Sequence, residues 1–370
     1  MAVPLSWRVA GLAPVFHGSV TDADLKSLGL ARAEVMDFSV NANPLGPSPS
    51  AVAAAASAQW ARYPDDAATD LREALAARDG VDAAEVIVGN GSSELLWLLA
   101  LAFVDAGDAA LVIGPTFGEY ARAARIAGGA IAEHRADPAD GFAVCVPEVV
   151  AHGRAVGARI VFACNPNNPT GTLLPLAALR ELAEALPGAL IVVDEAYRQF
   201  VDDPPPTPEL LTLGNVVLVR SLTKDYALTG LRLGYALAPA PIRIALDAVR
   251  PPWSVNAIAQ AAGLAALGDE IHLQRARDEV RRAQTYLATA LAERDLRVLP
   301  AAANFLLVEV GNGAAVRSAL LRLGVCVRDC ASFGLPGYVR IGLRTVPECE
   351  RLVAAFDDAA VRRVVGVADG

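Results

Sequence analysis

An α/β fold with a mainly parallel sheet is predicted by two features of the chain. Short apolar runs alternate with helix-length segments between about residues 86 and 237, and turn-forming residues follow the runs. Strands that alternate with helices pair in parallel, because each crossover helix returns the chain to the same edge of the sheet, and the helices then cover both faces. A chain of 370 residues can bury a large core and is long enough for two domains.

Val86–Val88 reads as the first strand, since three β-branched residues in succession suit a pleated surface covered on both sides. A turn and a helix over Ser93–Phe103 are expected next. Ala109–Ile113, Arg159–Cys164, Leu190–Val193, Val216–Val219 and Leu233–Leu237 are further predicted strands, with Leu176–Leu186 one of the helices between them. Pro204-Pro205-Pro206 marks a loop, because the sheet pattern resumes after it. The tail changes character. A helical stretch is expected from Asn256 to Glu293, then short strands at Leu296–Leu299, Phe305–Val308, Val325–Arg328 and Tyr338–Ile341. This predicts a smaller α+β domain. The expected division is 46–255 for the large domain, with the loop-rich 1–45 joining 256–370 in the small one.

Composition removes several function classes. The net charge is −9 with no basic block, which argues against a nucleic-acid partner. Five cysteines without a C-x-x-C pair, and only four histidines, predict reduced thiols and no metal centre. Leu95–Val104 is far too short to span a bilayer. Met1–Phe16 carries Arg8 and interrupting prolines instead of a basic end and a clean apolar run. A cytoplasmic protein with no membrane partner is expected.

Of 32 basic residues only Lys26 and Lys224 are lysines. Arginine serves wherever charge is enough, but it cannot lose its proton and attack a carbonyl. A surface position is the ordinary reading of one lysine; this composition weakens it for Lys224, in Ser221-Leu222-Thr223-Lys224.

Three other motifs end predicted strands. Gly89-Asn90-Gly91-Ser92-Ser93-Glu94 opens a helix, so its backbone amides could cradle an anion; a plain helix cap reads the same way. Asn165-Pro166-Asn167-Asn168-Pro169-Thr170-Gly171 is a stiff turn that also presents two amide side chains. Asp194, in Val193-Asp194-Glu195-Ala196-Tyr197, closes an apolar run, where a carboxylate is costly unless paired. The spacing Ser221-x-x-Lys224 also occurs in serine acyl-enzymes, but those need a later Lys-Thr-Gly and no lysine follows Lys224.

Taken in this order, the anion cradle, the Asn loop, the strand-end Asp, Ser-x-x-Lys and Arg232 in Gly230-Leu231-Arg232 resemble the class I/II pyridoxal-phosphate enzymes of fold type I. The resemblance implies the aminotransferase fold, pyridoxal 5′-phosphate as cofactor, and these roles. Lys224 would carry the cofactor and Asp194 would pair with its pyridinium nitrogen. Asn168 and Tyr197 would face its phenolic oxygen. Gly91, Ser92, Ser93, Ser221 and Arg232 would hold its phosphate, and Phe117 would stack on its ring. Tyr63 would reach the phosphate of the neighbouring subunit, which implies a homodimer with a shared site. Arg340 and Arg328 would hold anionic ends of a small phosphorylated amino substrate, and His17 would belong to the substrate loop.

Two members of that family resemble the chain most, the histidinol-phosphate aminotransferases and the threonine-phosphate decarboxylases of cobalamin biosynthesis. Four stretches outside the shared cofactor motifs, His17-Gly18, Asp37 to Pro47, Pro251 to Asn256 and Arg328 to Pro336, resemble the decarboxylases further. Decarboxylation of a phosphorylated threonine is therefore the expected reaction, with transamination of histidinol phosphate the alternative. Ser19 and Thr229 depart from the decarboxylase pattern. The same Lys, Asp and phosphate cup serve both reactions.

Overall fold

The computed structural model describes residues 18–365 together with Ser6, Arg8, Val9 and Leu12. Its largest feature is a seven-stranded sheet, ordered Val86–Gly89, Gly234–Leu237, Val216–Ser221, Leu190–Asp194, Ala158–Cys164, Ala109–Gly114, Ala130–Arg135. The last five pair in parallel, while Gly234–Leu237 runs antiparallel to both its neighbours. The α/β class is as expected.

Each strand of the sheet alternates between two cores, as a period of two requires. Leu111, Val161, Ile191 and Val193 pack on one face, with the helices Val146–Val156 and Leu176–Ala185. Ala110, Ile160, Phe162 and Val192 pack on the other, with Ser92–Phe103 and Glu119–Ala127. The all-apolar runs follow from that two-sided cover.

A further core gathers Phe38, Leu306, Val308, Val339 and Ile341 against the helices Glu270–Ala292, Gly313–Arg322 and Val346–Phe356. Its sheet is four-stranded and antiparallel, in the order Arg328–Asp329, Tyr338–Gly342, Phe305–Glu309, Arg297–Val298. The helical stretch expected over 256–293 is broken at Gly268. Asp269 caps the second helix by accepting from His272 N at 3.2 Å. The first helix, Ala257–Leu267, buries Ala259, Ala262 and Ala266 in the core of the large sheet.

Val325–Arg328, read as one strand, is two short pieces. Val325–Cys326 pairs in parallel with Met36–Asp37, and Arg328–Asp329 turns to Tyr338–Gly342. The chain changes partner at Val327, which stitches the N-terminal segment to the smaller sheet.

The topology has one consequence for function. Gly234 stands in register with both Gly89 and Ser221. The turns after Gly89, Gly114, Cys164, Asp194 and Ser221, and the turn before Gly234, therefore leave the sheet at one edge.

Candidate functional site

That edge opens on a cavity of about 320 Å³. Lys224, Asp194, Tyr197, Asn168, Phe117, Ser92, Ser93, Arg232 and Arg340 all line it, as does Ser39, so residues separated by up to 301 positions, from Ser39 to Arg340, meet in one place.

Lys224 stands in the four-residue helix Leu222–Asp225, which Ser221 caps by accepting from Thr223 N at 3.2 Å. Its backbone is anchored from the N-terminal segment: Asn43 N donates to Lys224 O at 2.7 Å, and Asn43 Nδ2 to Asp225 O at 2.9 Å. Enclosure lowers the proton affinity of the amine to about 8, and the positive charges of Arg340 and Arg232 act in the same direction. A lysine near 8 is neutral often enough to act as a nucleophile or base.

Asp194 ends its strand almost wholly buried. Its Oδ2 accepts from Tyr120 Oη at 2.7 Å and its Oδ1 from Ala196 N at 3.0 Å. Burial raises the carboxyl to about 6, against the lowering effect of those two donors. The cost of burying a strand-end carboxylate is thus offset only in part by its hydrogen bonds.

Arg340 is buried and anchored. Its Nη2 donates to Ser39 O at 2.8 Å, its Nη1 donates to Asn168 Oδ1, and its guanidinium lies 5.4 Å from the centre of the Phe305 ring. With its amide oxygen turned to the guanidinium, Asn41 accepts from Arg340 Nε at 3.3 Å and Nη1 at 3.1 Å. Tyr197 packs edge-on to Phe305 at 5.0 Å, and burial pushes its phenol up to about 12. Asn167 ties two loops together, with Nδ2 donating to Pro115 O (2.9 Å) and Oδ1 accepting from Thr116 Oγ1 (2.6 Å).

The anion cradle can be tested by imagining side chains on its glycines. A Cβ on Gly91, where φ is +80°, would lie 2.8 Å from Arg232 Nη2; one on Gly234 would lie 2.3 Å from Ser92 N. Both glycines are needed for backbone and guanidinium to come this close. The helix Ser92–Phe103 starts there with no side chain capping it, so its first N–H groups and Arg232 face the cavity together. That donor set fits a phosphate. With Asp194 and Lys224 in the same lining, the cavity fits pyridoxal phosphate.

Other expected residues lie elsewhere. Ser221 is buried behind the lining, and Thr223 lines the cavity in its place. Gly91 contributes backbone only. Tyr63 is 80 % exposed, stacked on Trp253 with ring centres 4.5 Å apart, and does not reach this cavity from its own chain. Arg328 is buried outside the lining, with Nη2 donating to Ser332 Oγ at 2.7 Å and its guanidinium over the Phe333 ring. A side chain on Gly18 would meet Arg328 at 2.1 Å, so the N-terminal segment crosses that arginine. His17 falls outside the described residues. Tyr120, Cys164, Ser39, Val40, Asn41 and Ala196 line the cavity without having been singled out for it. Asn41 could have been found, since it sits in the Asp37 to Pro47 stretch. Among the described residues no group of three His, Cys, Asp or Glu side chains could hold a metal ion, and no helix is long and apolar enough to cross a membrane.

Comparison with known proteins agrees with this geometry. The family model described as aminotransferase class I and II matches residues 33–356. A histidinol-phosphate aminotransferase of Symbiobacterium thermophilum is 41 % identical over 95 % of this chain and 97 % of its own. Further curated relatives at 35–39 % identity carry the same name. The crystal structure of histidinol-phosphate aminotransferase from Sinorhizobium meliloti in complex with pyridoxal-5′-phosphate superposes with a TM-score of 0.87 at 26 % identity, covering 100 % of this chain and 99 % of that one. L-threonine-O-3-phosphate decarboxylase from Porphyromonas gingivalis superposes at 0.77 and 26 % identity, covering 87 % and 98 %.

These findings correct the expectation of decarboxylation, which they do not support. Within the four stretches that favoured it, Ser39, Val40 and Asn41 line the cavity, Asn43 holds the Lys224 backbone, Trp253 stacks on Tyr63, and Arg328 donates to Ser332.

Proposed function

Because this chain belongs to the class I and II aminotransferases, which are pyridoxal-phosphate enzymes of fold type I, we propose that it transaminates histidinol phosphate. The observation that carries this reading is the 41 % identity to a named histidinol-phosphate aminotransferase over nearly the full length of both chains.

When bound, pyridoxal phosphate supplies the electron sink that lets a bond at the amino-bearing carbon of the substrate break. The residues of this chain supply the rest. Lys224 Nζ would hold the cofactor and would take and return the proton at that carbon. Asp194 would pair with the ring nitrogen. Asn168 and Tyr197 would serve the phenolic oxygen, and Phe117 would pack on the ring. The start of the helix Ser92–Phe103 would hold the phosphate, with Ser92, Ser93, Thr223 and Arg232. Arg340 offers its charge to an anionic end of the amino donor or of the keto-acid acceptor. We further propose a homodimer in which the exposed Tyr63–Trp253 stack completes the neighbouring site.

Product analysis tests the reaction. Histidinol phosphate with 2-oxoglutarate should yield glutamate, and phosphothreonine alone should release no CO2. Sustained CO2 release from phosphothreonine, without glutamate formation from histidinol phosphate, would overturn the assignment.

A further inference from the structure

We propose that Tyr120 is a positioning residue for this reaction: its hydroxyl fixes the Asp194 carboxylate in the orientation and charge in which it serves the cofactor ring. The proposal rests on the reading of Asp194 as the partner of the ring nitrogen, and adds a residue that acts through it.

The geometry is specific. Tyr120 lies in the first turn of the helix Glu119–Ala127 with no exposed surface. Its Oη donates to Asp194 Oδ2 at 2.7 Å, while Ala196 N donates to Oδ1 at 3.0 Å. A carboxylate oxygen has two acceptor directions. One on each oxygen is therefore taken, and the carboxylate cannot turn without breaking a bond. The Tyr120 ring is itself held, stacked on Phe162 (5.2 Å, 6° between planes) and edge-on to Phe117 (5.6 Å, 81°). One side chain thus touches both Phe117, in the turn after Ala109–Gly114, and Asp194, at the end of Leu190–Asp194.

The charge argument agrees. The groups facing Asp194 are Tyr120 from the helix, Cys164 from the neighbouring strand end, Lys224 from the turn after Ser221, and Glu195 and Tyr197 from its own segment. Burial holds Cys164 and Tyr197 neutral, near 12. Tyr120 is also held protonated, well above its ordinary range, so it can only donate to the carboxylate. Glu195 and burial favour the protonated acid, and the Tyr120 bond is the largest influence opposing them. Without the hydroxyl, Asp194 would bind its proton more tightly.

Tyr120→Phe keeps the ring packing and removes only the donor. The Asp194 carboxyl can be titrated by ¹³C NMR in the full chain freed of cofactor, its resonance identified by its loss in Asp194→Asn. Cofactor affinity is then measured against pH by dialysis. The expected result is an Asp194 midpoint about one pH unit higher. The acid limb of cofactor affinity should move with it, so that binding at pH 6 weakens about fivefold. kcat should fall while KM for histidinol phosphate and the melting temperature stay nearly constant. An unchanged midpoint and acid limb in Tyr120→Phe, with Asp194→Asn crippled, would overturn the proposal and leave the role of Asp194 standing. Wild-type cofactor affinity and turnover in Asp194→Asn would overturn both.

Discussion

Arg220 Nε donates to Glu195 Oε2 at 2.7 Å, with both side chains buried. The pair joins the residue after Asp194 to the residue before Ser221, and so couples the two strand ends that carry the proposed partners of the cofactor ring. Arg220 Nη1 also pairs with Asp79 at 2.8 Å, and Asp79 accepts from Tyr235 Oη at 2.8 Å. Arg220→Ala would leave Glu195 and Asp79 with only their longer ion pairs, to Arg198 at 3.6 Å and to Arg78 at 3.4 Å. It should cost about 3 kcal/mol, the low end of the scale for breaking a buried pair from one side. Urea unfolding should show a lower midpoint at an unchanged slope. A loss below about 1 kcal/mol would mean that water or another cation compensates.

Lys224→Ala and Lys224→Arg should be equally inactive, because the role needs an amine that can be neutral, and enclosure holds Lys224 near 8. Borohydride reduction of cofactor-loaded protein, followed by peptide mapping, should place the label on Lys224. A label on Lys26 instead would defeat the assignment.

Asp225 should destabilise the chain in neutral and alkaline solution. Burial raises its carboxyl from the ordinary 3.8 to about 7, against the pull of Arg78. Between those two values the folded chain binds more protons than the unfolded one, so stability falls as pH rises. The penalty is absent below about pH 4 and complete above about pH 7, on the order of a few kcal/mol. Asp225→Asn should therefore raise the unfolding free energy at pH 8 and change it little at pH 4. An equal effect at both pH values would contradict this.

Gly91→Ala and Arg232→Ala should damage the same function from two sides. The first puts a methyl group 2.8 Å from Arg232 Nη2 at a φ of +80°, a strain of about 1–3 kcal/mol. The second removes a charge-assisted contact worth roughly 1.5–3 kcal/mol. Each should weaken pyridoxal phosphate binding tenfold or more in equilibrium dialysis, with the fold retained by circular dichroism. Wild-type affinity in both would remove the phosphate from this end of the cavity.

Tyr63→Ala and Lys224→Ala, each inactive alone, should partly restore activity when mixed and allowed to exchange subunits, because one site of the mixed dimer receives both intact residues. Tyr63 is exposed and does not line the cavity of its own chain, so a fully active monomer at assay concentration would refute the shared site.

The sequence was most legible where one local segment carries a whole role. The strand cores, a helix start within Gly89–Glu94, the strand-end Asp194 and Lys224 could all be picked out before any contact was known. The edge strand Ala130–Arg135 was missed, because its charged and exposed residues look like a loop until Ala109–Gly114 pairs with it. The reversal of Gly234–Leu237 was invisible for a similar reason, since an apolar run does not record its direction. Tyr120 escaped notice because its partner Asp194 is 74 residues away, and nothing local separates it from any other helix aromatic. Ser221 ends its strand as the helix cap while Thr223 lies inside the four-residue helix, and only the second lines the cavity.

The register of Gly234 with Gly89 on one side and Ser221 on the other also orders events in time. The strand made last, Gly234–Leu237, is inserted beside the one made first, Val86–Gly89, which has no other strand neighbour. During synthesis the opening strand must wait for nearly 150 residues before its edge is satisfied, and only that insertion brings Arg232 to Ser92. A nascent chain released before residue 232 thus lacks the proposed phosphate cradle however well its parallel strands have assembled. In refolding, capture of the cofactor should trail closure of the sheet, and the appearance of its bound absorbance should report the final stage of assembly.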